Sequence, residues 1–507
     1  MTYIGTTFIV LAFLLFFKYT GSFDFATVKF NVALIPLPIK NAIFIFALVG
    51  LGTKASIIPF HIWLPAAHPA APSHVSALMS GVMIKTGIYM IIRLFLDVLQ
   101  PIPAWWGLTV LALGSISALL GVLYALTEHD IKRLLAYHSI ENIGIILLGL
   151  GSALTFYSLG MPSLALLGLA AALFHTLNHA IFKSLLFLSA GSVINEMHTG
   201  NMEEYGGLIK YMPQTAMFFL IGSIAISALP PFNGFFSEWL TFQTIFQGIA
   251  RLHSSSQWIF VVAAGSLAIT GGLALACFVK AFGTTFLARP RSAEVAHAKE
   301  SALSMRISMG TLALLSLLFG IFSGPVTILL EKISKSFTIF QNVTSLVSVS
   351  SRQSFNVGNG FASVSAPVLF GFLVIAIFLT TFIVRYLVNK NQKVTIGGTW
   401  DCGTDLTPRM EITATGFARS IILIFKNVLK PSIQHEIEYR DDESRYLPKS
   451  REVTLSVGNI YHSYFYRPMQ TMIHELSLRA KNIQSGNINA YISYIFIALA
   501  IALFLVL

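Results

Sequence analysis

Charge is scarce in this sequence. Only 11% of its 507 residues are Asp, Glu, Lys or Arg, against 55% apolar. A soluble chain of this length would divide into several domains, each needing a hydrated surface, and there is too little charge here to cover them. Cysteine is nearly missing as well. Cys277 and Cys402 are the only two, too few for a four-thiolate iron–sulfur cluster and without metal-ligand spacing. Any redox centre must therefore sit on a partner, and the chain is expected to carry no cofactor of its own. No phosphate-binding glycine loop, dinucleotide fingerprint or nucleophile–base pair is present. Acids are outnumbered, 22 against 33 Lys and Arg, for a net charge of +11. The surplus bases gather in loops and in 389–488 rather than on one soluble face, which fits the positive-inside bias of cytoplasmic regions and argues against nucleic-acid binding. The apolar N-terminus lacks a basic n-region and a small-residue cleavage site, so it reads as a true span and not a signal peptide.

What the sequence has in abundance is apolar runs of about 18 to 25 residues, the length that crosses a hydrocarbon core of roughly 30 Å as a helix. They fall at 3–17, 41–59, 75–96, 106–126, 135–158, 163–194, 212–229, 234–250, 258–287, 307–329, 366–388 and 489–507. Alternating barrel patterning is absent, and helices are then the remaining way to satisfy the backbone in lipid. The expectation is an all-α, polytopic transmembrane bundle of about 12 spans in the cell inner membrane.

Four regions follow. Residues 1–330 form a nearly continuous membrane core; 331–388 is a polar, Ser/Gly/Asn-rich loop and one further span; 389–488 is a polar, cytoplasmic segment; 489–507 is a last span. Within 389–488, the Gly, Pro and Thr content of 397–417 argues against a helix, and 437–452 (IEYRDDESRYLPKSRE) reads as a solvated loop. Two places in the core read as discontinuous helices. In 50–73, Pro59, Pro65, Pro69 and Pro72 interrupt an apolar run; in 226–240, Pro230, Pro231 and Gly234 do the same. Proline removes a backbone donor, and in lipid such breaks persist only where protein or water satisfies the freed groups. Each break lies beside an ionisable residue, Lys54 or Glu238, as in transporters built from inverted repeats.

Placing a charge at membrane depth costs from about 3 kcal/mol upward, so such residues face a partner or water. Lys54, Lys85 and Glu238 read as mid-span groups. Lys132 and Arg133 open a helix that carries His138 and Glu141. Lys280 follows an expected break at Gly271–Gly272. His175, His179 and Lys183 are spaced by four, which stacks them on one helix face as a ladder rising about 12 Å. Imidazole accepts and donates through its two nitrogens near neutral pH, and a buried lysine can release its proton. A water-bridged chain of such groups can pass protons. The plainer readings are helix–helix hydrogen bonds for the histidines, and snorkelling or a topological mark for Lys132 and Arg133. Arg93 near a span end and His61 in a short loop read as topological, while His68 and His74 fall between prolines, where capping serves as well as transport. A His-x-x-x-His pair can bind zinc, but no third ligand is near and Lys183 would repel a cation.

These same stretches carry a resemblance. KASIIPFHIWLPAAHPAAPSHVSALMSGVMIKTGIY (54–89), EHDIKRLLAYHSIENIGIILLGLG (128–151), FHTLNHAIFKSLLFLSAGSV (174–193) and ISALPPFNGFFSEWL (226–240) resemble the antiporter-like membrane subunits of NADH–quinone oxidoreductase, multisubunit Na⁺/H⁺ antiporters and group 4 membrane-bound hydrogenases. Within that superfamily, 68–87, 124–142 and GGTWDCG (397–403) are most similar to the large membrane subunit of formate hydrogenlyase and hydrogenase-4. The resemblance implies inverted antiporter-like repeats, other membrane subunits as partners, a peripheral Ni–Fe or Fe–S redox arm, and transport of protons or Na⁺. It assigns proton transfer to Lys54, Lys85, His175, His179, Lys183 and Glu238, and puts Lys132 in the family's Ile-Lys-Arg-Leu-Leu-Ala-Tyr position. In the family an upstream Glu pairs with the residue at Lys54; Asp24, the one acid in 1–53, reads as a loop residue. The first repeat is thus expected to be incomplete, as in a fragment or a split subunit. Three functions remain open: a proton-translocating subunit, a non-pumping anchor for a redox arm, and a Na⁺/H⁺ antiporter subunit.

Overall fold

The computed structural model describes the chain except Ser254, Ala288, 350–353, 358–360, 389–399, Asp401, 440–447, Asn459, 482–485 and Leu507. Residues 397–399 and 401 of the GGTWDCG motif, and 440–447 of the acid- and base-rich stretch, thus lie outside the described residues. The chain forms two compact units, Met1–Ile421 and Ile422–Leu507.

The first unit is a helical bundle. Its helices are α1 (Thr2–Thr20), the short α2 (Phe25–Phe30), α3 (Leu37–Ala55), α4 (Trp63–Ala70), α5 (Ser73–Leu78), α6 (Lys85–Ile92), α7 (Ala104–Thr127), α8 (Ile131–Ser158), α9 (Pro162–Met197), α10 (Pro213–Ile226), α11 (Asn233–Arg251), α12 (Ser255–Phe282), α13 (Leu303–Ile321), α14 (Ser323–Ser334) and α15 (Ala366–Phe382). A wide turn at Met79–Met83 joins α5 to α6, so that Ser73–Val98 runs as one span. Among the described residues, nine helices are long and apolar enough to cross a membrane, and Pro213–Ile226, Ala414–Ile424 and Ile488–Phe504 are shorter apolar helices. The expected span 234–250 is α11, which falls short on apolarity because Asn233, Ser237, Glu238, Thr241, Gln243, Thr244 and Gln247 are all buried polar residues.

Small residues set the centre of the bundle. Gly107, Gly114 and Gly121 recur every seven residues on α7, and Gly144 and Gly151 answer them on α8. A Cβ at Gly144 would stand 2.4 Å from the Ala118 amide nitrogen, and one at Gly121 would stand 2.7 Å from that of Glu141. Backbone therefore meets backbone, the usual basis of helix association in lipid. This close approach leaves the apolar middle of α8 wholly buried. On its other side α8 packs on α9, which also touches α5, α10, α11, α13 and α14.

Both expected breaks are present. The chain leaves the helix between Ala55 and Trp63, and again between Ile226 and Asn233. At the second break a Cβ on Gly234 would lie 1.8 Å from the Ala225 carbonyl oxygen, so the turn into α11 requires glycine. Elsewhere the structure departs from expectation. Helix α12 continues through Gly271–Gly272, because two glycines cost a helix about 1 kcal/mol each but remove no backbone hydrogen bond. The span 307–329 is divided at Phe322 into α13 and α14. The loop expected at 331–365 contains a three-stranded antiparallel sheet, β1 (Val347–Val349), β2 (Ser354–Val357) and β3 (Ala362–Ser365), in the order β1-β2-β3. Val347, Phe355 and Val357 are its buried side chains, a period-2 signal too short to stand out in a Ser- and Asn-rich stretch.

Helix α16 (Ala414–Ile424) follows residues 404–413, which contain one short helical turn, Pro408–Met410. The second unit then holds α17 (Lys426–Leu429), strands β4 (Pro431–Tyr439) and β5 (Pro448–Val457) paired antiparallel, α18 (Arg467–Lys481) and α19 (Ile488–Val506). The loop expected over 437–452 is therefore strand at both ends. Charge on both sides of the alternation hides such a hairpin from pattern reading.

Candidate functional site

The polar interior of the first unit is built on α8 and α9. Lys85 starts α6 after the wide turn, where the Ile84 amide reaches back five residues to Met79, 3.2 Å. Such turns often mark functional positions in helices. The Lys85 ammonium donates to the Ser80 carbonyl. The Ser80 and Ser139 hydroxyls are 2.8 Å apart, and Ser139 donates to the Leu135 carbonyl at 3.1 Å. A hydroxyl has one proton to give, so Ser80 donates to Ser139. The Lys183 ammonium donates to that same Leu135 carbonyl. Lys85 on α6 and Lys183 on α9 thus each reach a backbone carbonyl at one end of the Ser80–Ser139 hydroxyl contact, whose two serines carry no charge to mark them in the sequence. All four side chains are buried.

The His175–His179–Lys183 ladder is present on α9, with all three side chains fully buried. Asn142 donates its amide to the His138 carbonyl at 2.8 Å, which turns its oxygen toward His175 Nε2, 3.1 Å away. His175 Nε2 therefore donates to it, and His175 Nδ1 lies 3.0 Å from the Ser237 hydroxyl, which also reaches the Gly234 carbonyl at 3.1 Å. Both nitrogens of His179 lack a hydrogen-bond partner among the described residues. His138 Nδ1 meets Glu141 Oε2, one turn along α8, in a fully buried pair. Lys183 lies within electrostatic reach of Glu141, and His138 within reach of Lys183 and Lys280. Glu238, in the second turn of α11, is buried beside a cavity of about 330 Å³ lined also by Trp239, Phe242, Gly271 and Gly272. Asn178 and Asn233 tie α9 to the second break, with Asn178 donating to the Asn233 carbonyl at 2.9 Å and Asn233 to the Asn178 side-chain oxygen at 3.1 Å. Ser139, Asn142 and Asn178 carry no charge and so do not stand out among the ionisable groups of the sequence. Asn142 lies four residues beyond His138 and Asn178 three beyond His175, so helix-face spacing could have flagged both.

Two further lysines sit at helix ends. Lys132 Nζ donates to the Ala71 and Pro69 carbonyls at 2.7 and 3.4 Å, closing the end of α4. Lys280 Nζ donates to the Leu126 and Glu128 carbonyls at 2.7 and 2.9 Å, closing the end of α7. Carbonyls left over at a helix C-terminus carry partial negative charge and suit a cation. Lys280 also borders a cavity of about 500 Å³ with Thr284, Glu411 and Phe417.

Lys54 differs from its expected place. It is in the last turn of α3 rather than mid-span, and its side chain is exposed beside a cavity of about 190 Å³ lined by Thr6, Ile9 and Trp63. It has no ion-pair partner among the described residues, and Asp24 caps α2 through the Thr27 amide at 2.9 Å. Arg93 is no mere topological mark: it pairs with buried Asp97 at 2.8 Å, and Lys29 meets the same carboxylate at 2.5 Å. His61 is buried, with its ring 6.5 Å from that of Tyr137.

At the bundle end near Lys132, Glu203 receives the Thr415 amide and hydroxyl at 2.8 and 2.7 Å, with His129 Nδ1 3.6 Å away. Burial alone would push this carboxyl up, but the His129 and Thr415 contacts outweigh it and hold it down at about 2. The 404–417 segment is thereby tied to the α9–α10 connection. Arg289 adds a second tie, with its amide on Glu411 at 2.6 Å and its guanidinium on the Leu406 carbonyl at 3.0 Å.

Residues 1–270 match the family described as NADH:quinone oxidoreductase/Mrp antiporter, transmembrane. Hydrogenase-4 component B of Escherichia coli is 39% identical over 98% of this chain and 74% of its own. The chain belongs to this family of antiporter-like membrane subunits. It is a multi-pass membrane protein. Formate hydrogenlyase subunit 3 of Escherichia coli is 37% identical over 84% of this antiporter-like chain and 67% of its own. Among solved structures, a chain of the membrane-bound sulfane sulfur reductase, an archaeal respiratory membrane complex, shares the fold with a TM-score of 0.74 at 24% identity, over 99% of this chain and 75% of that one.

Proposed function

We propose that the chain is a proton-translocating subunit of an inner-membrane complex of the hydrogenase-4 or formate hydrogenlyase type. Other membrane subunits and a peripheral Ni–Fe or Fe–S arm would hold the redox chemistry. The observation that carries this reading is the buried polar cluster in which Lys85 and Lys183 reach carbonyls on either side of the Ser80–Ser139 hydroxyl contact, flanked by the His175–His179 ladder and the His138–Glu141 pair. Two ammonium groups so placed repel one another in a low-dielectric interior, so loading one favours release from the other. A redox event in the arm that shifts charge at one end of the chain would push protons along it toward Glu238. The two broken helices, with Lys54 and Glu238 beside them, are the halves of an inverted repeat in this reading.

Substituting Lys85→Ala or Lys183→Ala in the assembled complex is expected to lower proton movement in membrane vesicles by at least about tenfold, within the usual range for loss of an acid–base group. Unchanged movement in both would sink the proposal. An anchoring function is the second reading, favoured by Lys54, which has no ion-pair partner among the described residues. It predicts redox activity that survives both substitutions and fails when 397–417 is deleted. Sodium-dependent proton flux without redox substrate would instead mark an antiporter subunit.

A further inference from the structure

Three cavities run into one another along α12. At its end, the cavity of about 500 Å³ beside Lys280 has Thr284 on one wall and Glu411, Ile412 and Phe417 on the other. It shares Val279, Gly283 and Leu287 with an apolar groove of about 320 Å³ between α10 and α12. That groove in turn shares Leu229 and Leu275 with the cavity beside Glu238. Leu220, Leu275 and Val279 are exposed along it, so its open side faces the bilayer. Glycine keeps it open: a Cβ on Gly272 or Gly283 would meet nothing within 4 Å. From Gly283 to Gly272 the helix rises about 16 Å, close to the depth of one leaflet in a hydrocarbon core of roughly 30 Å.

Charge gathers at one end only. Arg291 donates to the Thr284 carbonyl at 3.3 Å and to the Ile412 carbonyl at 3.2 Å, so its guanidinium spans both walls of the Lys280 cavity. Its Nε is buried without a hydrogen-bond partner among the described residues. Glu411, the acid on that wall, is paired with Arg289 at 3.5 Å. Lys280 and Arg291 bond instead to neutral carbonyls, and neither is in an ion pair among the described residues. This end of the groove therefore keeps a net positive charge.

We propose that this groove is a binding site for one anionic phospholipid. The phosphate faces Arg291 and Lys280 at the bundle end, and one acyl chain lies along α12 to the level of Leu275. Basic pockets between membrane helices suit anionic headgroups, and a guanidinium with two carbonyl partners has donors left for a phosphate. Volume favours a chain over a partner's helix. The groove holds about 320 Å³, whereas a helix about 10 Å across and about 16 Å long fills roughly 1,300 Å³. The end of the chain closes the bilayer side of the cavity beside Glu238. The site does not depend on the proton-translocating reading.

The test uses the assembled complex in phosphatidylcholine vesicles. These carry a trace of either phosphatidylglycerol or phosphatidylcholine with a diazirine near the acyl-chain end, and photo-adducts are mapped by peptide mass spectrometry. The phosphatidylglycerol probe is expected to mark Leu229 and Leu275 at least about fivefold more than the phosphatidylcholine probe does. Val262 and Ile269, exposed elsewhere on α12, should take both probes alike. Arg291→Gln should erase the headgroup preference. Gly283→Leu, whose side chain enters open space, should remove groove adducts with both probes. Equal marking by the two probes in the wild type means annular lipid only and overturns the site. A groove unmarked by either probe, while Val262 and Ile269 are marked, means that a protein covers it and overturns the site as well. A preference that survives Arg291→Gln overturns the headgroup assignment. Should Arg291→Gln fail to assemble, Gly283→Leu decides: preferential marking retained in that variant overturns the proposal.

Discussion

The buried lysines of this bundle divide into two kinds. Lys132 and Lys280 sit at helix ends, each ammonium reaching two carbonyls left over where a helix stops. Lys85 and Lys183 sit inside spans, each reaching one carbonyl, on either side of the Ser80–Ser139 hydroxyl contact. The helix-end pair are held by the fixed partial negative charges of helix-end carbonyls. The mid-span pair feel each other's charge across a buried polar cluster, each with a single carbonyl acceptor. Burial alone therefore says little about what a membrane lysine does; the number and kind of its acceptors say more.

The comparison can be broken in several ways, from the largest effect to the smallest. Replacing Ser80 and Ser139 together with Ala removes the contact while leaving both lysines in place. Proton uptake should fall several-fold, and each single variant should lose about as much as the double one; purely additive small effects would show that the contact is not part of a path. Lys280→Met should act on stability instead. It strands the Leu126 and Glu128 carbonyls, at about 1–3 kcal/mol, so the melting temperature of the purified complex should drop while uptake per assembled complex changes less than it does for Lys183→Ala. Smallest is the pH response of the Glu203 tie. Its folded value of about 2 lies below the ordinary 4.5, so its contribution is complete above pH 4.5 and is lost as pH falls from there toward 2. Amide-exchange protection at Thr415 should decline through that window, and Glu203→Gln should abolish the decline.

Much of this was legible in the sequence. Run length and low charge marked the membrane helices, Pro59 and the Pro230–Pro231 pair marked the two breaks while Pro65 and Pro69 lie inside α4, and spacing by four put His175, His179 and Lys183 on one face. The hydroxyl contact was not legible. Ser80 and Ser139 are 59 residues apart, and serine in an apolar helix usually bonds to its own preceding turn. Lys54 lies beside the first break as the sequence implied, but in the last turn of its helix rather than mid-span, where the chain leaves the helix at Ser56 with φ of 63°. His68, which among prolines reads as a loop residue, lies in helix α4 with its ring on Phe187, a contact between elements that no local pattern reveals.

The most direct measurement compares protons moved per redox turnover in Lys183→Ala and in Lys280→Met, both in the assembled complex. The two-kinds account predicts a collapse of the ratio in Lys183→Ala and a near-normal ratio in Lys280→Met. Equal ratios in the two variants, or a collapse confined to Lys280→Met, would contradict it.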